Sequence, residues 1–234
     1  LVEKTKAKKQ KNLSIALMTS PLNHEATVDY LKQNNWFGLS ISVFPQTMIE
    51  VCDQEGDLIY DGDKKVIKAP TGNGGAFQAF CHAGIFEHFK KNGVKYVQVI
   101  PVDNPLAEPF DEELLGVHQK DEVELVLRAI KREDPSEKLG LIGIKEGKLS
   151  VCEYTESLAT KEKPLGNTAL FSCSMELIKR TIDVPFAWHL AEKQGIWKFE
   201  KFIFDLFPHA KSFKVIVSDR HRCFSPIKTR YSGC

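Results

Sequence analysis

The sequence contains no long apolar run and no marked excess of charge of either sign. None of its hydrophobic stretches reaches the ~18–20 residues that a membrane-spanning helix needs, so no membrane partner is expected. Lysine and arginine total 32 against 31 aspartates and glutamates, which gives a formal net charge of +1. Because a dedicated nucleic-acid-binding protein usually has a clear basic excess, this balance also argues against a nucleic-acid partner.

The cysteines provide no evidence for a zinc or redox site. All six lie far apart, and no C-x-x-C pair is present. Such spacing is typical of free thiols in a reducing compartment, which predicts a cytoplasmic location. The sequence carries no signal for a particular oligomeric state.

Both ends of the chain suggest a fragment or a processed product. Residues 1–12 have no initiator methionine and no apolar signal core, but contain five lysines. These lysines alternate with neutral residues and lack neighbouring aromatics, which makes them a poor nucleic-acid platform. The chain stops at Gly233-Cys234 without a closing element. We therefore expect the domain to be incomplete at the N-terminus and also at the C-terminus.

The first half of the chain alternates short apolar runs with amphipathic stretches. Residues 13–18, 39–44 and 94–102 have the composition of strands, and residues 23–34 fit a helix. A strong apolar stripe from Phe77 to Phe89 predicts one helix that ends at Asn92-Gly93. Strand, crossover helix and strand in succession predict an α/β domain with a largely parallel sheet.

The second half continues without an internal repeat, a linker or a domain boundary, so a single domain is predicted. Residues 122–132 fit neither class clearly. The other predicted elements are strands at residues 140–144 and 149–154, a strand running into a helix at 168–180, an aromatic-rich helix at 197–207, and a last strand at 214–217. Within this half, His189 and Lys193 lie four apart and could share a helix face.

A glycine-rich segment, A-P-T-G-N-G-G at residues 69–75, leads directly into the predicted Phe77 helix. Glycines allow positive φ and let a ligand approach the backbone, and the start of a helix favours anionic or acceptor groups. A tight loop that only turns the chain is about equally compatible, because the spacing is neither a Walker loop nor G-x-G-x-x-G.

Asp103 follows the strand at residues 94–102, and Lys228 follows the proline-stiffened F-S-P-I at residues 224–227. A carboxylate in this position can bind a divalent cation beside phosphates, and an ammonium can pair with them. A turn aspartate, favoured by the following Asn104-Pro105, and a solvated surface lysine are the alternatives.

Taken together, the motifs resemble those of the UDP-sugar pyrophosphorylases, most closely the UDP-N-acetylglucosamine (UDP-N-acetylhexosamine) branch. The matching segments occur in the same order along nearly the whole chain. They are M-T-S (18–20), W-F-G-L (36–39), F-P-Q (44–46), A-P-T-G-N-G-G (69–75), V-D-N (102–104), E-Y-T-E (153–156), G-N (166–167), P-F-A-W-H-L-A-E-K (185–193), F-E-K-F-I-F-D (199–205) and F-S-P-I-K (224–228).

The resemblance implies a Rossmann-like nucleotide-diphospho-sugar transferase fold of glycosyltransferase-A type, with a mixed, mostly parallel central sheet. It implies the reaction of UTP with a sugar 1-phosphate to give a UDP-sugar and pyrophosphate, by in-line attack on the α-phosphorus, with Mg²⁺ as cofactor. The roles implied by matching position are Gln46, Gly72 and Asn73 for the uridine, Asp103 for Mg²⁺, Glu153 and Asn167 for the sugar, and Lys228 for the phosphates.

The sequence departs from the family pattern at two places. Thr71 replaces the usual acidic residue of the A-P-d-G-N-G-G motif. The family's glycine-rich loop, G-G-x-G-T-R-L-G, lies upstream of M-T-S, whereas the first glycine here is Gly38. We therefore expect this chain to be inactive in isolation. UTP–glucose-1-phosphate uridylyltransferase and a non-catalytic sugar-nucleotide-binding protein remain the alternative functions.

Overall fold

The computed structural model describes residues 2–8, 13–134, 136–137, 139–152, 164–193 and 195–227. The chain forms two compact units. Unit 1 comprises Leu1–Lys9, Val94–Thr181 and Leu206–Cys234, and unit 2 comprises Gln10–Gly93 and Ile182–Asp205.

The described segments contain helices and strands in alternation. The helices are α1 (Val2–Ala7), α2 (His24–Gln33), α3 (Ala76–His82), α4 (Ile85–Lys91), α5 (Glu112–Asp121), α6 (Met175–Thr181) and α7 (Arg220–Cys223). Short 3-10 helices cover Asn35–Gly38 and Ile203–His209. The strands are β1 (Ser14–Thr19), β2 (Ser40–Pro45), β3 (Met48–Glu50), β4 (Lys68–Pro70), β5 (Tyr96–Val99), β6 (Leu125–Lys131), β7 (Leu141–Lys145), β8 (Lys148–Cys152), β9 (Leu165–Ser174), β10 (His189–Lys193), β11 (Ile196–Glu200) and β12 (Phe213–Val217).

Unit 1 is built on a six-stranded sheet with the order β12-β6-β9-β7-β8, in which β5 also pairs with β9. Strand β6 is buried from Leu125 to Ile130 and lies at the centre of this unit's core. Residues 122–132, which the sequence left unassigned, thus contain the strand β6 at Leu125–Lys131. Asp111 is the N-cap of helix α5, and its carboxylate accepts hydrogen bonds from the N–H groups of Glu113 and Leu114.

The prediction of a mostly parallel sheet is wrong for unit 1, although the sheet is mixed. Only β12 and β6 run parallel among the described pairings of this sheet. Strand β9 is antiparallel to β5, β6 and β7, and β7 is antiparallel to β8. The direction in which two strands pair depends on contacts between distant segments, and the composition of a single strand does not encode it.

The described residues of unit 2 form three two-stranded sheets, the α-helices α2, α3 and α4, and the 3-10 helix Asn35–Gly38. Strands β1 and β2 are parallel, whereas β3–β4 and β10–β11 are antiparallel pairs. Its core is aromatic, since the ring of Phe80 meets Phe44, Phe86 and Phe89 edge-on at centroid distances of 5.2–6.3 Å. Edge-to-face packing of this kind is the favoured aromatic arrangement.

The single helix predicted across residues 77–89 is two helices, α3 and α4. Gly84 separates them with φ +72°, and its N–H donates to the Cys81 carbonyl at 2.9 Å. A left-handed glycine ends a helix in this way. The apolar stripe survives the break because Phe80 on α3 still contacts Phe86 and Phe89 on α4.

The predicted helix at residues 197–207 is also wrong. Residues 196–200 form β11, and Ile203–His209 is a 3-10 helix. The sequence W-K-F-E alternates bulky and charged residues at period two, which is a strand pattern, and aromatic content alone obscured it. His189 and Lys193 accordingly lie on strand β10, not on a helix face. No helix in the described part of the chain is long and apolar enough to cross a membrane.

Candidate functional site

The glycine-rich loop of unit 2 is bound along its length to the segment that follows β11. The Lys201 N–H donates to the Thr71 carbonyl at 2.8 Å, and the Gly74 N–H donates to the Lys201 carbonyl at 2.8 Å. The Ile203 N–H donates to Oδ1 of Asn73 at 2.9 Å. These bonds place the loop backbone directly against residues 201–203.

Two glycines make this close approach possible. A Cβ atom at Gly72 would lie 2.7 Å from the Lys201 carbonyl oxygen, and one at Gly74 would lie 2.5 Å from the Lys201 Cβ. Gly72 also has φ +87°, which side chains rarely permit. The loop therefore needs glycine for its own packing, whatever else it binds.

Thr71, which replaces an acidic residue of the family motif, has a local partner. Its hydroxyl lies 2.9 Å from the Thr47 hydroxyl and 3.2 Å from the Thr47 carbonyl oxygen, and the residue is buried. The substitution thus leaves no unpaired hydroxyl in this part of the loop.

A cavity of about 260 Å³ opens beside the loop. It lies at the carboxyl ends of the parallel strands β1 and β2, which is where open α/β sheets bind ligands. Its volume suits part of a nucleotide rather than a whole nucleotide sugar. The cavity is lined by Met18, Gln46, Pro70, Gly72, Asn73, Lys198, Glu200 and Phe202. The structure therefore brings together Gln46, Gly72 and Asn73, the three residues predicted for the uridine.

Gln46 directly follows β2, and its N–H donates to the Thr19 carbonyl at 2.8 Å. Its side-chain oxygen Oε1 is buried and has no hydrogen-bond partner among the described residues. A buried polar atom without a partner costs about 1–3 kcal/mol, so a ligand that donates a hydrogen bond there recovers this energy. Asn73 is exposed, and because its Oδ1 accepts from Ile203, its amide nitrogen is the group that can donate to a ligand.

Phe202 forms one wall of the cavity and packs against His189. The two ring centroids are 4.6 Å apart, and His189 Nε2 lies 3.1 Å from Oδ2 of Asp205. His189 therefore supports the wall from β10. The side chain of Lys193 lies outside the described atoms, so a joint role of the two residues stays a prediction.

Asp103 belongs to unit 1, in the loop that follows β5. Its carbonyl oxygen accepts a hydrogen bond from the Ile227 N–H at 2.8 Å. Lys228 is the next residue in the sequence and lies outside the described residues. The described residues contain no group of three or more histidine, cysteine, aspartate or glutamate side chains that could bind a metal. A single carboxylate suits Mg²⁺, which proteins often bind through one or two carboxylates together with substrate phosphates.

The family model for UTP–glucose-1-phosphate uridylyltransferase matches residues 1–172 of the chain. The chain belongs to this family.

Curated relatives in the uridylyltransferase family match over most of the chain. The UDP-N-acetylglucosamine pyrophosphorylase of Saccharomyces cerevisiae is 31% identical over 249 residues, which cover 91% of this chain and 52% of the yeast protein. The UDP-N-acetylglucosamine diphosphorylase 2 of Arabidopsis thaliana is 30% identical, with 91% of this chain and 48% of the plant protein covered. The chain thus spans about half the length of the curated relatives it matches.

A solved structure from the same group of proteins has the same fold. The inhibitor complex of the uridine diphosphate N-acetylglucosamine pyrophosphorylase from Trypanosoma brucei superposes with a TM-score of 0.83 and 24% identity. The match covers 99% of this chain and 53% of the trypanosomal chain. The α/β fold with a mixed sheet is therefore the one found in UDP-sugar pyrophosphorylases.

Of the two residues that the family resemblance assigns to the sugar, the structure describes Asn167 but not Glu153. Asn167 is buried on β9, where its N–H donates to the Gly140 carbonyl at 2.8 Å and its Oδ1 accepts from the Ala169 N–H at 3.1 Å. Ala169 has φ +60° at an irregularity in the β6–β9 register, and such bulges often redirect side chains beside active sites. Glu153 lies outside the described residues.

Sequence reasoning missed two groups that the structure places in prominent positions. Lys198 lines the cavity. The available sequence signal was its period-two alternation with Trp197 and Phe199, which indicates a strand and therefore places Lys198 and Glu200 on the same face. Asn104 is fully buried and was interpreted as a turn residue. Its Nδ2 donates to the Cys223 carbonyl at 2.7 Å, and its Oδ1 accepts from the N–H groups of Leu106 and Ser225.

Proposed function

We propose that this chain is part of a uridylyltransferase that forms UDP-N-acetylglucosamine, or a related UDP-sugar, and pyrophosphate from UTP and a sugar 1-phosphate. The observation that carries this proposal is the unit 2 cavity, which Gln46 lines together with the glycine loop. The buried Oε1 of Gln46 has no hydrogen-bond partner among the described residues. An imide N–H, such as that of uracil, is the donor that this oxygen lacks. Membership of the uridylyltransferase family supports the same ligand class.

In this proposal the chain contributes mainly binding and orientation. Gln46, Gly72 and Asn73 bind the uridine, Glu153 and Asn167 bind the sugar, and Lys228 pairs with the phosphates. Held in this way, the sugar phosphate oxygen can attack the α-phosphorus in line while pyrophosphate leaves. When Mg²⁺ is bound, it neutralises phosphate charge, and Asp103 is the residue of this chain that would bind it.

We also propose that both units belong to one catalytic domain of Rossmann-like, glycosyltransferase-A type, acting in the cytoplasm. N-acetylglucosamine 1-phosphate is the favoured substrate because the relatives at 30–31% identity are named as a UDP-N-acetylglucosamine diphosphorylase and a UDP-N-acetylglucosamine pyrophosphorylase. The second candidate is a UTP–glucose-1-phosphate uridylyltransferase, the description of the matching family model. The acetamido and hydroxyl groups of the two sugars differ by few contacts, so a direct comparison of rates is needed.

The uridine assignment is tested with Gln46→Leu. Leucine has a similar size and cannot accept a hydrogen bond, so we expect the Kd for UTP, measured by calorimetry on the full-length protein, to rise about tenfold or more. Gln33→Leu is the control, because Gln33 is exposed at the end of α2. Equal UTP affinity in both variants and the wild type contradicts the assignment.

The metal assignment is tested with Asp103→Asn. Asparagine is nearly isosteric, and the hydrogen bond from Ile227 goes to the backbone carbonyl of residue 103, so the fold should be retained. We expect turnover to be abolished across a Mg²⁺ titration while the melting temperature stays close to that of the wild type. Turnover equal to that of the wild type removes Asp103 from metal binding.

A further inference from the structure

Lys198 and Glu200 lie two residues apart on strand β11, and both line the cavity that contains Gln46. Residues two apart in a strand point to the same face. Their side chains are mostly buried, with 21% and 22% of their surfaces exposed. An acid and a base are thus placed side by side in the wall of the nucleotide cavity.

The ammonium of Lys198 connects two parts of that wall. Its Nζ lies 2.5 Å from Oε1 of Glu200 and donates to the Pro70 carbonyl at 3.3 Å. Pro70 is the last residue of β4 and the second residue of the glycine-rich segment 69–75. Lys198 therefore fixes the start of the loop, whereas backbone bonds to residues 201–203 fix its remainder.

The pair has a consequence for an anionic ligand. As long as Lys198 is present, the Glu200 carboxylate is neutralised and the wall carries no net charge from these two residues. If Lys198 were removed, a carboxylate in a half-buried cavity would face a ligand that carries several negative charges, and like charges in such a setting repel strongly.

We propose that Lys198 is a positioning residue for the nucleotide, which neutralises Glu200 and fixes the start of the glycine loop so that an anionic nucleotide can bind. This inference rests on the proposed function of the cavity. It extends that function, because it identifies Glu200 as the charge that must be compensated before the cavity accepts a nucleoside triphosphate as well as it accepts a neutral nucleoside.

The test compares Lys198→Met, Glu200→Gln and the double variant in the full-length protein, with UTP and uridine as ligands in calorimetry. We expect Lys198→Met to raise the Kd for UTP about tenfold and that for uridine by much less. The double variant should recover a large part of the UTP affinity, because no bare carboxylate remains. Lys198→Arg should bind UTP nearly as well as the wild type.

Lys68→Met is the matched control. Lys68 pairs with Glu50 at 2.9 Å on the adjacent strands β4 and β3, outside the cavity lining. It should leave UTP binding unchanged, and circular dichroism checks that each variant is folded. Unchanged UTP affinity in Lys198→Met overturns the inference, as does equal weakening of UTP and uridine or a double variant no better than Lys198→Met. If the wild type binds neither ligand, the proposed function itself fails.

Discussion

At the scale of single residues, Gln46 and Asn104 use the same amide group in different ways. The buried amide of Asn104 is bonded through both of its polar atoms and connects the loop at residues 103–106 to residues 223–225. The Oε1 of Gln46 is equally buried and has no partner among the described residues. A saturated amide stabilises the fold, whereas an unsaturated one in a cavity indicates a ligand.

His118 is the clearest buried titratable group outside the candidate site. Its Nδ1 lies 2.7 Å from the Val123 carbonyl oxygen and its Nε2 3.0 Å from the Ser172 hydroxyl, and its ring stacks on Tyr96. Nε2 also lies 3.1 Å from the Ser172 carbonyl oxygen. Because carbonyl oxygens can only accept, a protonated His118 can donate to both carbonyls, whereas in the neutral ring with Nδ1–H donating to Val123, Nε2 accepts from the Ser172 hydroxyl. Burial lowers the pKa of His118, although its backbone hydrogen bonds oppose this shift.

The lowered pKa predicts acid destabilisation. The unfolded chain titrates near 6.5 and the folded state at lower pH, so between these values the unfolded state binds more protons. Stability is therefore complete above about pH 6.5 and falls as the pH drops toward the folded pKa. We expect His118→Gln to flatten the pH dependence of the free energy of unfolding, measured by urea titration between pH 7.5 and 5.

The control for this measurement is His221→Gln, because His221 is exposed on α7. Its unfolding free energy should follow the wild-type pH dependence. If the free energy of unfolding of His118→Gln depends on pH as steeply as that of the wild type, another group is responsible for the acid sensitivity.

At the scale of elements, the sequence predicted most strands but not how they pair. Local sequence patterns identified β2, β7, β8 and β12 near their observed positions, since such patterns depend only on neighbouring residues. The antiparallel pairing of β5 with β9 joins segments about 75 residues apart, and neither segment encodes its partner. The division of the predicted helix at Gly84 was missed because the apolar stripe is continuous across the break.

The glycine loop yields a prediction at this scale. A methyl group at residue 74 would meet the Lys201 side chain and backbone at 2.5–2.6 Å, whereas one at residue 75 would meet nothing within 4 Å. We expect Gly74→Ala to lower the free energy of unfolding by about 1–3 kcal/mol and to weaken UTP binding. Gly75→Ala, the control, should stay within about 0.5 kcal/mol of the wild type in urea unfolding. Equal stabilities of the two variants would mean that the loop does not need its contact with residues 201–203.

Motifs in the sequence predicted that three residues of the candidate cavity lie together, and the binding roles of these residues stay predictions. Gln46, Gly72 and Asn73 were identified through their place in recurring motifs, and the structure gathers them in one cavity. Lys198 was missed because an isolated lysine is usually a solvated surface residue, and its partner Pro70 is 128 positions away. Glu153 and Lys228, outside the described residues, stay predictions from the family resemblance.

At the scale of the whole molecule, family membership and the cavity together define the proposed reaction. The chain covers about half of its curated relatives, so the activity is to be measured on the full-length protein. The proposed uridine cavity lies in unit 2, whereas Asp103 and Asn167 belong to unit 1. A protein that only binds sugar nucleotides would bind uridine nucleotides in this cavity but would not release pyrophosphate, which distinguishes it from the enzyme.

The most direct test is pyrophosphate release by the full-length protein incubated with UTP, Mg²⁺ and either N-acetylglucosamine 1-phosphate or glucose 1-phosphate. For the wild type we predict Mg²⁺-dependent pyrophosphate release with both sugar phosphates, and a higher kcat/KM for N-acetylglucosamine 1-phosphate. For the Asp103→Asn variant we predict no pyrophosphate release with either sugar phosphate. A preference for glucose 1-phosphate would contradict the choice of substrate. Absence of pyrophosphate release with either sugar phosphate would contradict the uridylyltransferase account itself.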